Sequence, residues 1–157
     1  MYGMKKCSAI FWILVVITAC DLPKKSTQAN IDPSAVNASM KANLIDGTWE
    51  ANYIMNTPKP FSDLYANAKP SITFNTTTGQ VSGMSGCNNF TGKFSVDGNK
   101  LKFADDMALT RKMCMDMDGE KTFMETLKKV SSYSVTEQGK TLNLIMGDMA
   151  VMRLSRR

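Results

Sequence analysis

The chain has 157 residues, a formal net charge of +5 and no histidine. The lack of histidine excludes Ser-His-Asp and Cys-His catalysis, and it excludes zinc sites that need imidazole ligands. The charge is weak evidence for a nucleic-acid partner, because Lys5 and Lys6 lie in a segment that we expect to be removed, which lowers the charge by two to +3. We therefore expect no nucleic acid among the partners.

Residues 1–19 have the features of an export signal. Two lysines precede an uncharged apolar run over residues 7–17, which is too short to span a membrane, since a span needs about 20 apolar residues. Residues 17–20 read ITAC, which resembles the lipobox of bacterial lipoproteins. The resemblance implies cleavage before Cys20, a lipid on its sulfur, and a place in the cell envelope on the outer membrane or the periplasmic face of a bacterial membrane. The alternative is an ordinary signal peptide followed by a chance cysteine.

Residues 20–43 are predicted to be the lipidated cysteine and a flexible tether. This segment has little apolar content and two prolines, Pro23 and Pro33. It cannot bury enough apolar surface to offset the entropy lost on ordering. A short helix over residues 34–42 is the one regular element we expect there.

Residues 44–157 are predicted to form one domain made mostly of antiparallel hairpins. Strong turn signals lie at Gly79, at residues 97–99 and at Gly147. The strands that these turns separate are predicted from β-rich or alternating segments, which lie at residues 49–54, 71–74, 80–82, 90–96, 101–103, 107–113, 133–135, 142–146 and 149–154.

One helix is predicted after Asp118, whose side chain is expected to cap it. Phe123, Met124, Leu127 and Val130 fall at helical spacing and give the helix one apolar face. The predicted fold class is therefore α+β with β dominant, as an antiparallel sheet with one packed helix.

Two stretches carry a further resemblance. Residues 83–94 read GMSGCNNFTGKF. Residues 109–114 read LTRKMC, and Glu120 and the FMETL of residues 123–127 follow them at a short distance. The GTW of residues 47–49 and the ITF of residues 72–74 come before both stretches. Together they resemble the META domain, the HslJ-like family. The resemblance implies a compact, barrel-like antiparallel sheet with one packed helix in the bacterial envelope, with loose links to stress tolerance. It implies no biochemical activity.

Two cysteines, Cys87 and Cys114, remain after the signal and the lipid site are set aside. In an oxidising compartment an even pair is more often a disulfide than two free thiols, so we predict a bridge between them. The alternative is a pair of buried, reduced thiols that pack as small hydrophobes.

The loop around Cys87 has two readings. Gly86 suits a backbone position that excludes a side chain, and Asn88 and Asn89 suit a turn. This pattern favours a structural corner, and the alternative is a ligand-contacting loop formed by Gly86, Asn88 and Asn89.

For several other features we prefer a structural explanation to a functional one. The Met-rich stretch 113–117 could hold Cu(I), yet methionines also fill core gaps. Residues 116–120 resemble part of a calcium loop, but helix capping explains them better. Asp105 and Asp106 favour a turn over a catalytic carboxylate pair, and Trp49 favours the core over a binding groove. We expect no metal, no cofactor and no catalytic residue.

The function predicted from these features is that of a non-catalytic, lipid-anchored envelope protein. Its domain would bind a protein or another envelope component, or support the envelope under stress. The alternative is a small-ligand carrier or inhibitor, which a deep apolar cavity would favour and a filled sheet interior would exclude. An enzyme is the third hypothesis.

Overall fold

The computed structural model describes residues 44–114 and 117–157. The predictions for the export signal, Cys20, the tether and the short helix at 34–42 lie outside these residues. The elements, in chain order, are β1 (Gly47–Ile54), α1 (Phe61–Leu64), β2 (Ser71–Asn75), β3 (Gln80–Met84), β4 (Asn89–Asp97), β5 (Lys100–Phe103), β6 (Ala108–Leu109), α2 (Asp118–Lys129), β7 (Ser132–Thr136), β8 (Thr141–Met146) and β9 (Met149–Arg156).

The nine strands of the described residues form one antiparallel sheet in the order β3-β2-β1-β9-β8-β7-β5-β4-β6. An additional pairing between β3 and β4 joins the first strand of this order to the next-to-last one, so the sheet is ring-like and β6 remains outside the ring as its last strand. The long strand β4 makes this possible, because residues 89–93 pair with β3 and residues 94–97 pair with β5. The predicted α+β fold with β dominant is confirmed.

The core lies against the concave strand faces and the apolar face of α2. Phe90 and Phe94 point inward from β4, as the alternation predicted, and α2 adds Phe123, Met124 and Leu127 to the same cluster. Trp49 is fully buried, which confirms its prediction as a core residue. Its indole N–H donates to the carbonyl of Ile45 at 2.7 Å, so the one polar atom of the ring is satisfied.

The turn predictions at residues 97–99 and at Gly147 are confirmed, since Asp97 pairs with Lys100 and Met146 pairs with Met149. In β9 both Val151 and Met152 are buried. A register shift in the β8–β9 pairing places Val151 as an extra residue between two paired positions, and such a bulge interrupts the alternation.

Two predictions of local structure are wrong, and one short helix was not predicted. The strand expected over 107–113 is only the two-residue β6, because the residues after it bond to a side chain and not to a neighbouring strand. Asp118 does not cap α2, since Met117 holds the N-cap position and no side chain caps the first backbone N–H groups of the helix. The one-turn helix α1 was not predicted, because four residues carry no periodicity.

Within residues 44–114 and 117–157, no helix is both long enough and apolar enough to cross a bilayer.

Arg156 joins the end of the domain to its beginning. Its guanidinium lies over the ring of Trp49, with 4.2 Å between its carbon and the ring centroid. Its three nitrogens donate to the carbonyls of Gly139 at 2.8 Å, Asp46 at 2.8 Å and Leu44 at 2.6 Å. One side chain thus holds two backbone segments, at residues 44–46 and at residue 139, and covers the buried indole.

Replacing Arg156 should therefore destabilise the domain more than its exposed position suggests. We expect Arg156→Ala to lower the free energy of unfolding by about 2 kcal/mol, because charge-assisted hydrogen bonds and the stacking on Trp49 are lost together. Arg153→Ala, in the same strand, is the matched control. Arg153 makes one 3.5 Å bond to Asn143 and a distant contact with Tyr53, so its removal should change stability by less than about 0.5 kcal/mol. Urea denaturation of both variants decides this, and equal losses would contradict it.

Candidate functional site

Residues 85–88 connect β3 to β4 and form a polar turn that we call the corner. The side chain of Asn88 lies at its centre and is buried. It is 1% exposed. Its Oδ1 accepts from the hydroxyl of Thr110 at 2.8 Å and from the amide of Lys112 at 2.7 Å, and its Nδ2 donates to the carbonyl of Lys112 at 3.3 Å. The amide group of Asn88 therefore bonds residue 112 as a neighbouring strand would.

Glu120 connects this corner to the first turn of α2. Its Oε2 accepts the backbone N–H of Asn88 at 3.1 Å and lies 2.7 Å from the Oγ of Ser85. The Ser85 Oγ also lies 2.8 Å from the carbonyl of Asn88, so its single proton can go to either acceptor. Ser85 is fully buried, and these contacts hold α2 against the corner.

Gly86 lets the chain pass the ring of Tyr65. Its φ is +104°, and a Cβ added there would lie 2.8 Å from the ring. The phenol of Tyr65 donates to the carbonyl of Gly119 at 2.7 Å, and burial raises the pKa of this phenol well above its usual value. The corner, α1 and the start of α2 therefore meet at one ring.

A disulfide joins Cys87 to Cys114, with 6.4 Å between their Cα atoms, as predicted from the cysteine count. It ties residue 114 to the same corner that Asn88 binds through residues 110 and 112. Asn89 is placed differently from the prediction that grouped it with Asn88, since it is exposed and its backbone N–H donates to Thr110. The ligand-contact role of Gly86, Asn88 and Asn89 stays a prediction.

Sequence reasoning missed the partners of this corner. Ser85, Thr110, Lys112 and Glu120 were noted only as parts of a family motif, and Tyr65 received no role. The presence of Thr110, Cys114 and Glu120 in the motif was a signal that they share one place in the fold, but the motif does not say which groups they contact.

The structure also bears on the metal alternatives. Cys114 is oxidised, so its sulfur is not a thiolate ligand for copper. Of the calcium-loop residues, Asp118 lies 3.7 Å from Lys59 and Glu120 is bonded within the corner. Asp105 is exposed at a bend, as the turn prediction implied.

An open groove runs beside the corner, between the segment around β6 and α2. Its larger part has a volume of about 760 Å³ and its smaller part about 230 Å³, and the two share Met107, Leu109, Met117 and Glu120. Asn88 also lines the larger part. We call this feature the methionine groove, because its apolar lining consists mainly of Met107, Leu109, Met113, Met117 and Met124.

Comparisons with known proteins agree on the fold. The sequence profile of the META domain matches residues 42–157. An NMR structure of a protein from Burkholderia xenovorans has a TM-score of 0.57 at 22% identity, covering 75% of this chain and 87% of that one. A second NMR structure has a TM-score of 0.52 at 23% identity, covering 72% and 91%. At these identities the likeness shows a shared fold alone. No curated protein matches the sequence.

Asn88→Ala should be strongly destabilising. It leaves the part-buried backbone N–H of Lys112 and the hydroxyl of Thr110 without their acceptor, so we expect the free energy of unfolding to fall by about 3 kcal/mol. The neighbouring exposed Asn89→Ala should change it by less than about 0.5 kcal/mol. Urea denaturation measures both, and hydrogen exchange should show faster exchange at residue 112 in Asn88→Ala only. Equal stability of the two variants would rule out the corner as a stabilising element.

The disulfide should appear as a mass difference of two hydrogens between the folded protein before and after reduction. The double variant Cys87→Ser with Cys114→Ser should lose about 3–4 kcal/mol, because the bridge closes a loop with a sequence separation of 27 residues. Two reactive thiols in the folded, oxidised protein would disprove the pairing.

Proposed function

The chain belongs to the META domain family, and from this premise we propose that it is a non-catalytic lipoprotein, anchored through Cys20, whose META domain binds a protein or other envelope component. The anchor is supported by the apolar run over residues 7–17 and the lipobox-like ITAC at 17–20. Lipidation of Cys20 would hold the domain at a bacterial membrane, and two or more acyl chains give stable attachment where one does not.

The observation that carries the binding role is the methionine groove beside a rigidly held corner. Its Met113 side chain is fully exposed and Met117 is 45% exposed. Exposed apolar side chains that cluster in a groove are typical of interaction sites. The corner fixes one wall of the groove through the Asn88 bonds and the disulfide, and a fixed wall lowers the ordering cost of binding.

The non-catalytic part of the proposal rests on the chemistry of the available groups. The chain has no histidine to act as a base at neutral pH. Ser85 and Glu120 are adjacent, but the serine is fully buried and both side chains bond the corner. A hydroxyl in that position has no room for a substrate carbonyl beside it.

The carrier alternative has less support. Large side chains with almost no exposure fill the interior of the sheet, among them Trp49, Phe74, Leu142 and Leu144. A carrier of the lipocalin type needs an internal chamber in that place. An external groove suits a partner that keeps most of its own surface in solvent.

Membrane attachment tests the anchor directly. In the native host we expect the wild-type chain to incorporate labelled palmitate and to sediment with membranes, and Cys20→Ala to do neither. Cys7→Ala lies within the proposed signal and keeps the lipobox, so it should behave as wild type. Wild-type protein that stays in the soluble fraction with Met1 still attached would overturn the proposal.

Chemical cross-linking of intact cells tests the binding role. We expect the wild type to capture a defined envelope partner that Cys20→Ala captures far less, because the partner and the domain no longer share a membrane. Deletion should also sensitise the host to envelope stress. A wild-type capture that matches an unrelated lipoprotein control, together with no deletion phenotype, would count against this function.

A further inference from the structure

The methionine groove lies at the one end of the strand order that has no second neighbour. Among the described residues β6 pairs with β4 alone, at Ala108 and Leu109. The amide of Thr110 points toward β4, since it donates to the carbonyl of Asn89 at 2.9 Å. Because backbone groups alternate along an extended chain, the N–H and C=O of Leu109 and Arg111 point away from β4, toward the groove side. This is an edge on which a further strand can pair.

The opposite wall is one face of α2. Met117, Lys121, Met124 and Lys128 line the groove at helical spacing. Eleven residues of helix span about 16 Å, which equals about five residues of extended chain. The groove therefore has the length of a short strand. Its methionines are unbranched and flexible, so they can adapt to apolar side chains of varied shape.

The rim of the groove is positively charged. Arg111, Lys112, Lys121 and Lys128 are exposed around it, and none of them has an ion-pair partner within residues 44–114 and 117–157. Among residues 44–114 and 117–157 two carboxylates line it: Asp105 lies in its smaller part, and Glu120 already accepts two hydrogen bonds inside the corner. The excess of cations selects a ligand with several negative charges.

The chain's own amino-terminal segment does not fit this charge. Residues 20–43 contain three lysines, Lys24, Lys25 and Lys41, against Asp21 and Asp32. A net positive segment would be repelled by the rim, so the occupant is a different molecule.

We propose that the methionine groove binds an extended acidic peptide segment of a partner protein, which pairs with the outer edge of β6, places its apolar side chains among the methionines and directs its carboxylates to Arg111, Lys121 and Lys128. This inference rests on the proposed function and names the partner class and the site that it uses. It requires no catalytic step.

The test uses the full, lipid-anchored protein in nanodiscs of zwitterionic lipid. The probe is a fluorescein-labelled hexapeptide of alternating glutamate and leucine, acetylated and amidated, and binding is followed by fluorescence anisotropy. We expect this peptide to bind at least tenfold more tightly than the alternating lysine–leucine peptide. We also expect its binding to weaken as salt is raised, because exposed charges are screened.

Adjacent lysines of α2 give a matched pair of variants. Lys128 lines the groove, whereas Lys129 lines a separate cleft with Thr122 and Thr126. Lys128→Glu should weaken binding about fivefold, as reversal of one rim charge predicts. Lys129→Glu makes the same charge change on the same helix and should alter binding less than twofold. Equal effects of the two variants would show a general charge effect and would overturn the assignment to the groove.

A chemical variant of the probe tests the strand pairing. Methylation of alternate backbone nitrogens removes the donors that would bond β6 and leaves the side chains unchanged. Binding should fall at least tenfold, and undiminished binding would disprove pairing with β6.

Further outcomes separate this inference from the proposed function. If the peptide fails to bind, the inference is wrong. If, in addition, phosphatidylglycerol vesicles capture the protein and Lys128→Glu abolishes that capture, the groove recognises lipid headgroups instead. In either case a specific partner captured by cross-linking through another face would leave the proposed function standing.

Discussion

The structure around the candidate site depends on one buried amide. Asn88 presents an acceptor and a donor to the backbone of Lys112, and so replaces the strand that would otherwise pair there. A buried polar side chain stabilises the fold most when each of its donors and acceptors has a hydrogen-bond partner, because a group without a partner retains the full free-energy cost of desolvation. No buried side-chain nitrogen or oxygen lacks a partner within residues 44–114 and 117–157, so the corner gains this contribution without an orphaned group.

Closure of the sheet makes such a corner necessary. β3 and β4 are neighbours, and the turn between them must reverse the chain while leaving β4 free to continue toward β5. The amide of Ser85 bonds the carbonyl of Asn88 at 2.8 Å and closes this turn. The same turn carries Cys87 and receives Glu120 from α2. Loop, helix and sheet are therefore fixed at one place, and a distortion there would reach all three.

The sequence predicted the parts of the fold that depend on local patterns. Alternation along residues 90–96 and the turn at residues 97–99 predict β4 and β5, because side-chain direction and turn chemistry are local properties. The corner was predicted only in outline. The bonds of Asn88 to Lys112 and of Ser85 to Glu120 join residues 24 and 35 positions apart, and no local pattern encodes such a distance.

The same reasoning explains why the early end of β6 and the role of Arg156 were not predicted. The segment after Leu109 has the composition of a strand, but its backbone bonds to a side chain and not to a neighbouring strand. Strand propensity alone cannot predict such a partner. No local pattern marks Arg156 for a structural role, and its position is exposed. Its three carbonyl acceptors come from segments up to 112 residues away, so its structural role became visible only with the fold.

The corner and the methionine groove differ in how far they can change without unfolding the domain. Substitution of Asn88 or the cysteines removes bonds on which the fold depends, whereas Met113 is fully exposed. Exposed side chains of this kind contribute little to stability. The chemistry of the groove can therefore vary while its wall stays fixed. Met113 and Met117, both exposed, therefore lie where the structure permits new side chains, beside the wall that holds their position.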